Sequence, residues 1–140
     1  MYSATEELSL ETLRNWIITA REEFSKVDSI SMGDDQIGNQ LAKSPVGEDG
    51  ILPNEVTREV LEEFINDEIE VAFCVAIQNQ RGVVWKDTEG GGVAEYALSD
   101  KYNVYADALK FRYPKTAKVM KRIADSYLYQ AKREDLESEL

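Results

Sequence analysis

The stretch Gly90–Leu140, GGGVAEYALSDKYNVYADALKFRYPKTAKVMKRIADSYLYQAKREDLESEL, decides the fold. After the glycines, Ala94, Ala97, Leu98, Tyr102, Tyr105, Ala108 and Leu109 recur at helical spacing. Beyond Tyr113–Pro114, so do Ala117, Met120, Ile123, Ala124, Tyr127 and Ala131. The spacing predicts two long helices, each roughly 30–35 Å at 1.5 Å per residue. Pro114 suits the first position of the second helix, where its missing N–H removes no hydrogen bond. Alanine stripes let the helices approach closely, and tyrosines supply bulk with a polar tip.

Upstream, Leu10, Leu13, Trp16, Ile17, Ala20, Phe24 and Val27 form another helical stripe, so a first helix is expected over Ser9–Val27. Ser9 is its expected N-cap, with Glu11 in the first turn. Asp28–Gly33 interrupts the pattern. A short helix is expected over Asp34–Lys43, capped by Asp34. The segment DDQIGNQLAKS is faintly like the first half of a helix-turn-helix, but the acidic sequence after it argues against a phosphate-facing recognition helix. Ser44–Leu52 reads as a loop. Pro53–Asn54 opens a helix with Val56, Val60, Leu61, Phe64 and Ile65 inward and Glu55, Glu59, Glu62 and Glu63 in water. Asn66–Asp67 reads as a bend or a new cap.

Glu68–Gln78, EIEVAFCVAIQ, is the ambiguous segment. Its alternation fits a strand, pairing with Val83–Trp85 as a short hairpin within 69–85. Its helical neighbours favour a buried central helix. The expected architecture is therefore all-α, five to six helices around the C-terminal hairpin, in a single domain spanning residues 1–140.

Composition narrows the chemistry. The chain has no histidine, so His/Cys metal sites and Ser–His–Asp or Cys–His catalysis cannot be assembled from it. No metal, cofactor or catalytic residue is assigned. Carboxylates at Glu62, Glu63, Asp67, Glu68 and Glu70 form no EF-hand loop and no Glu-x-x-His pair. The one cysteine, Cys74, fits a reducing cytoplasm and a buried apolar role. The longest apolar run, Val71–Ile77, is too short to span a bilayer, and MYSATEELSLE lacks the form of a signal peptide. A cytoplasmic protein with no membrane partner is expected.

The net charge of −11 argues against nonspecific DNA binding. The charge is uneven: residues 1–70 carry 5 basic and 17 acidic side chains, residues 71–140 carry 11 and 10. Two candidate sites follow. One is the irregular loop Arg81–Gly92 with Asn79, Arg81, Gly82, Trp85, Glu89, Gly90, Gly91 and, in the next helix, Glu95. Glycines before a helix expose N–H groups to an anion, with Trp85 as a stacking face. No phosphate-loop fingerprint is present, however, and a plain connector capped at Gly92 explains the same residues. The other is the basic cluster Lys110, Arg112, Lys115, Lys118, Lys121 and Arg122, interleaved with Phe111 and Tyr113. It suits a polyanion, or charge pairing with the acidic helices of the same or a second subunit.

The segments NQRGV, EGGGVAEYALSDKYNVYADAL and YPKTAKVMKRIADSYLYQAKRED, with IGNQLAKSPVGEDGILPNEV upstream, resemble a family of small uncharacterised bacterial proteins. The shared pattern is N-x-R-G-V, E-G-G-x-x-E-x-x-L-x-x-x-Y and P-x-T-A-x-x-L-x-x-I-A-x-x-Y, over about Trp16 to Asp135, with Met120 where leucine is usual. The resemblance implies a stand-alone, mostly helical bacterial protein of no established activity. It marks Asn79, Arg81, Gly82, Glu89, Gly90, Gly91 and Glu95 as the polar signature. The leading functional expectation is a non-catalytic adaptor or regulatory subunit that self-associates or binds a protein partner. The alternative binds a nucleotide or RNA through the Arg81–Gly92 loop and the Lys110–Arg122 cluster. A third uses Arg81 with Glu89 or Glu95 in catalysis.

Overall fold

A computed structural model describes residues 4–80 and 92–138. These residues form six helices and no strand: α1 (Ala4–Lys26), α2 (Ile30–Leu41), α3 (Glu55–Phe64), α4 (Asp67–Gln80), α5 (Val93–Leu109) and α6 (Pro114–Ser138). The chain groups into two compact units, Met1–Gln80 and Arg81–Leu140.

In the first unit α1 packs on α2 and α3, and α2 lies against α4. Its core holds Ile17, Ile37, Leu41, Val60, Leu61, Ile69, Phe73 and Ile77. Glu68–Gln78 is helical, within α4. Ala72, Phe73, Cys74 and Ala76 are buried, while Val71 and Val75 are exposed. The alternation that resembled a strand is thus a helix apolar nearly all round. Gly38 explains the closeness of α2 to α4. A Cβ there would fall 2.6 Å from both Ala72 Cβ and the Ile69 carbonyl oxygen.

Two helix starts differ from expectation. Helix α1 begins at Ala4, ahead of Ser9. Helix α2 begins at Ile30, so Asp34 lies inside it and caps nothing. The reversal between them is made by Asp28, in the left-handed region at φ 55°, and closed by Ser29 N–H donating to Phe24 O at 2.9 Å. Asp34 is instead 4% exposed. Its carboxylate meets Arg21 Nε of α1 at 3.1 Å and accepts from Asn66 Nδ2 at 2.8 Å. Asn66 Oδ1 in turn accepts from Ile69 N–H at 2.9 Å and caps α4, as the sequence suggested.

The loop between α2 and α3 is organised by Arg58, only 3% exposed. Its guanidinium donates to both carboxylate oxygens of Asp49, at 2.8 and 2.9 Å, to Ile51 O at 2.8 Å and to Pro53 O at 2.7 Å. The Leu52–Pro53 bond is cis. Asn54 caps α3, accepting from Thr57 N–H at 3.0 Å. On α3 Glu63 is exposed and meets Arg14 at 2.7 Å, whereas Glu55, Glu59 and Glu62 are half-buried rather than in open water.

The second unit is the expected hairpin. At 17 and 25 residues, α5 and α6 are unequal, about 25 and 37 Å long. The α6 stripe lies inward as expected. On α5 the inward residues are Glu95, Ser99, Tyr102, Tyr105, Ala106 and Leu109, while Ala94, Ala97 and Ala108 are exposed. The physical reason is register. Residues 95, 99, 102, 106 and 109 keep the alternating four–three spacing that faces 113, 117, 120, 124, 127 and 131. Two polar residues disguise the α5 seam.

Candidate functional site

Most of the expected loop site, Arg81, Gly82, Trp85, Glu89, Gly90 and Gly91, lies outside the described residues, as does the Val83–Trp85 partner strand. Asn79 is exposed near the end of α4. Gly92 is the N-cap of α5, and its N–H donates to Asp135 Oδ1 of α6 at 2.9 Å. A Cβ on Gly92 would fall 2.6 Å from Ala131 Cα. Tyr96 O–H donates to the other Asp135 oxygen at 2.9 Å, and that bond raises the Tyr96 pKa. This latch joins the open end of the hairpin. Glu95 is 0% exposed, a carboxylate set in the seam rather than held toward solvent. Carboxylates such as Glu63, Asp67 and Glu70 do not gather: among the described residues no three His, Cys, Asp or Glu side chains could hold a metal ion.

The basic cluster is fully described. It occupies the opposite end of the hairpin, where Lys110–Tyr113 turns α5 into α6. Lys110, Arg112, Lys115, Lys118, Lys121 and Arg122 are all exposed. Tyr113 fixes the turn from inside: it is buried, and its N–H donates to Leu109 O at 2.7 Å. Thr116 and Ala117 continue the buried face. Phe111 falls between the two seams and projects outward, 90% exposed. Lys110 Nζ lies 5.2 Å from the centre of its ring, and Arg112 Cζ lies 5.4 Å from the ring of Tyr113.

Lys121 faces back along the hairpin, donating to Asn103 Oδ1 at 3.0 Å and pairing with Asp125 at 3.3 Å. Lys115, Lys118 and Arg122 follow one another at helical spacing along exposed α6. The turn carries one solvated aromatic, Phe111, flanked in sequence by exposed Lys110 and Arg112, with further exposed cations along α6. It offers an electrostatic and stacking surface at the end of a packed helical hairpin.

Phe111 and Tyr113 both interleave the basic residues in sequence; the structure separates them, Phe111 exposed and Tyr113 buried. The signal that divides them is the seam spacing, which includes 109 and 113 and skips 111. No helix of the described residues is long and apolar enough to cross a membrane. Comparison with protein-family models, with curated proteins and with solved structures finds no match to this chain. The family resemblance therefore stands on the sequence motifs alone.

Proposed function

We propose that the chain is a non-catalytic interaction protein, a small adaptor or regulatory subunit, that makes contacts through the α5–α6 elbow. The single observation carrying this reading is Phe111, 90% exposed between exposed Lys110 and Arg112 on a turn anchored by buried Tyr113. Isolated exposed apolar residues are common on any protein. What sets Phe111 apart is its setting in a run of six basic residues with no acid from 110 to 122. Charge complementarity supports self-association, because residues 1–70 carry 17 acidic side chains against 5 basic. The elbow of one copy then faces acidic surface on another.

Static light scattering at two protein concentrations tests this. At low salt the expected mass exceeds the monomer's 15.9 kDa and falls toward it as salt screens the charges. Arg112→Glu with Lys118→Glu is expected to abolish the excess. A strict monomer under all conditions contradicts self-association. The exposure of Phe111 also favours a second reading, nucleic-acid binding at the same elbow.

A further inference from the structure

We infer that the α5–α6 elbow docks on a second copy of this chain, with Phe111 entering the groove that α1 forms with the start of α2 and the end of α3. Lys110 and Arg112 then meet the acidic rim of that groove. The inference rests on the reading of the elbow as the contact surface and names the place it contacts.

Shape and apolar surface come first. Ile18, Arg21, Glu22 and Ser25 of α1, Ile30 at the start of α2 and Phe64 at the end of α3 line the groove, which encloses about 340 Å³. A cavity of about 150 Å³ already admits a benzene ring, so a phenylalanine side chain fits with room for the atoms beside it. Ile18 and Ile30 are 42% and 46% exposed, and Phe111, at 90%, is the most exposed large apolar side chain among the described residues. Joining them removes apolar surface from water on both sides. Charge then selects the partner. Asp34 holds Arg21 at 3.1 Å and neutralises it, so the described lining is left net acidic through exposed Glu22. Met1–Gln80 as a whole carries 17 acidic and 5 basic side chains, since residues 71–80 hold no charge. Elbow on groove therefore sets opposite charges together. Elbow on elbow would set the Lys110 and Arg112 of one copy against those of another, and like charges across an interface oppose association. One ring and a few ion pairs make a contact smaller than the roughly 1,600 Å² of a standard interface, so the association is weak and sensitive to salt.

The test is static light scattering of the full chain over rising concentration at low salt, with variants that damage the elbow or the groove alone. Phe111→Ala should weaken self-association about thirtyfold, the loss of one interface hot spot. Ile18→Lys places a cation in the groove and should weaken it at least as much. Both side chains are exposed, and a circular dichroism melt checks that each variant folds. Lys43→Ala, exposed and in the first unit, should leave the association unchanged. The decisive sample mixes Phe111→Ala with Ile18→Lys. The first keeps an intact groove and the second an intact elbow, so the mixture should regain mass as pairs, up to twice 15.9 kDa. The inference is overturned if Ile18→Lys assembles as fully as the unaltered chain, if Phe111→Ala does so, or if the mixture gains no mass over its two components. If Ile18→Lys has no effect while Arg112→Glu/Lys118→Glu gives monomers, only this inference falls and the elbow reading stands. If the unaltered chain is a monomer throughout, both fall. Binding of a uridine ten-mer that Phe111→Ala abolishes, without self-association, overturns the inference in favour of nucleic acid.

Discussion

The two compact units are held together by different chemistry. In residues 4–80 the 23-residue α1 packs with three shorter helices of 10 to 14 residues, and buried polar groups tie the short ones at their ends: Arg58 gathers the 49–53 loop, and Asp34 joins α1, α2 and the start of α4. In residues 92–138 two long helices share one apolar and aromatic seam, in which Tyr102 meets Tyr105 at 5.4 Å and Tyr127 at 5.8 Å between ring centres. Short helices bury little area each, so their register has to be set by directional bonds. A long hairpin sets its own register by repeating the seam. The elbow of that hairpin is where cations and an exposed aromatic collect.

Substitutions probe this contrast, beginning with the seam. Tyr127→Ala removes a fully packed ring and is expected to cost about 4 kcal/mol in denaturant unfolding. A cost below about 1 kcal/mol would mean the seam is not tightly packed. Arg58→Ala should cost about 3 kcal/mol, because two loop carbonyls lose their donor. The Asp49 carboxylate left behind is half exposed and stays hydrated, which keeps the cost below that of a fully buried pair. Arg58→Lys should lose stability too, but less, since an ammonium can still donate to a loop carbonyl yet cannot reproduce the bidentate fork on Asp49.

Asp34→Asn should cost about 1–2 kcal/mol. It keeps the shape and weakens the bonds to Arg21 and Asn66, and thermal melting reads the loss.

The smallest effects divide by pH. Hydrogen bonds from Arg58 hold the Asp49 pKa below the usual carboxylate value. Its contribution is therefore present above about pH 3.9 and is lost as pH falls through the lowered folded value. Burial raises the pKa of Tyr102 well above that of free tyrosine. Its contribution is present below about pH 10 and is lost as pH rises toward the raised value. Acid titration should thus loosen the Arg58 loop first, and alkali the tyrosine seam. Amide exchange at the 49–53 loop and ultraviolet titration of tyrosine measure the two ends.

Much of the architecture is legible in the sequence, for reasons particular to each helix. Helix α6 is readable because its buried residues, Thr116 apart, are apolar or aromatic, and Pro114 marks its start. Helix α5 is readable as a helix but not in its facing, since Glu95 and Ser99 stand where apolar residues are expected and alanines stand outside. Helix α4 reads ambiguously because Val71 and Val75 are exposed apolar residues that blur a helical period into an alternating one. The roles of Asp34 and Arg58 depend on partners such as Asn66 and Asp49, which no local spacing pairs with them. Of the candidate sites, the basic cluster is visible as a run of charge. The distinction between Phe111 and Tyr113 needs the seam register, which the polar α5 residues conceal.

The most direct test of the elbow as the working surface is light scattering of Arg112→Glu/Lys118→Glu beside the unaltered chain at low salt, with both melting at the same temperature. The expected result is an assembly for the unaltered chain and a monomer for the variant. Identical masses for the two would contradict it.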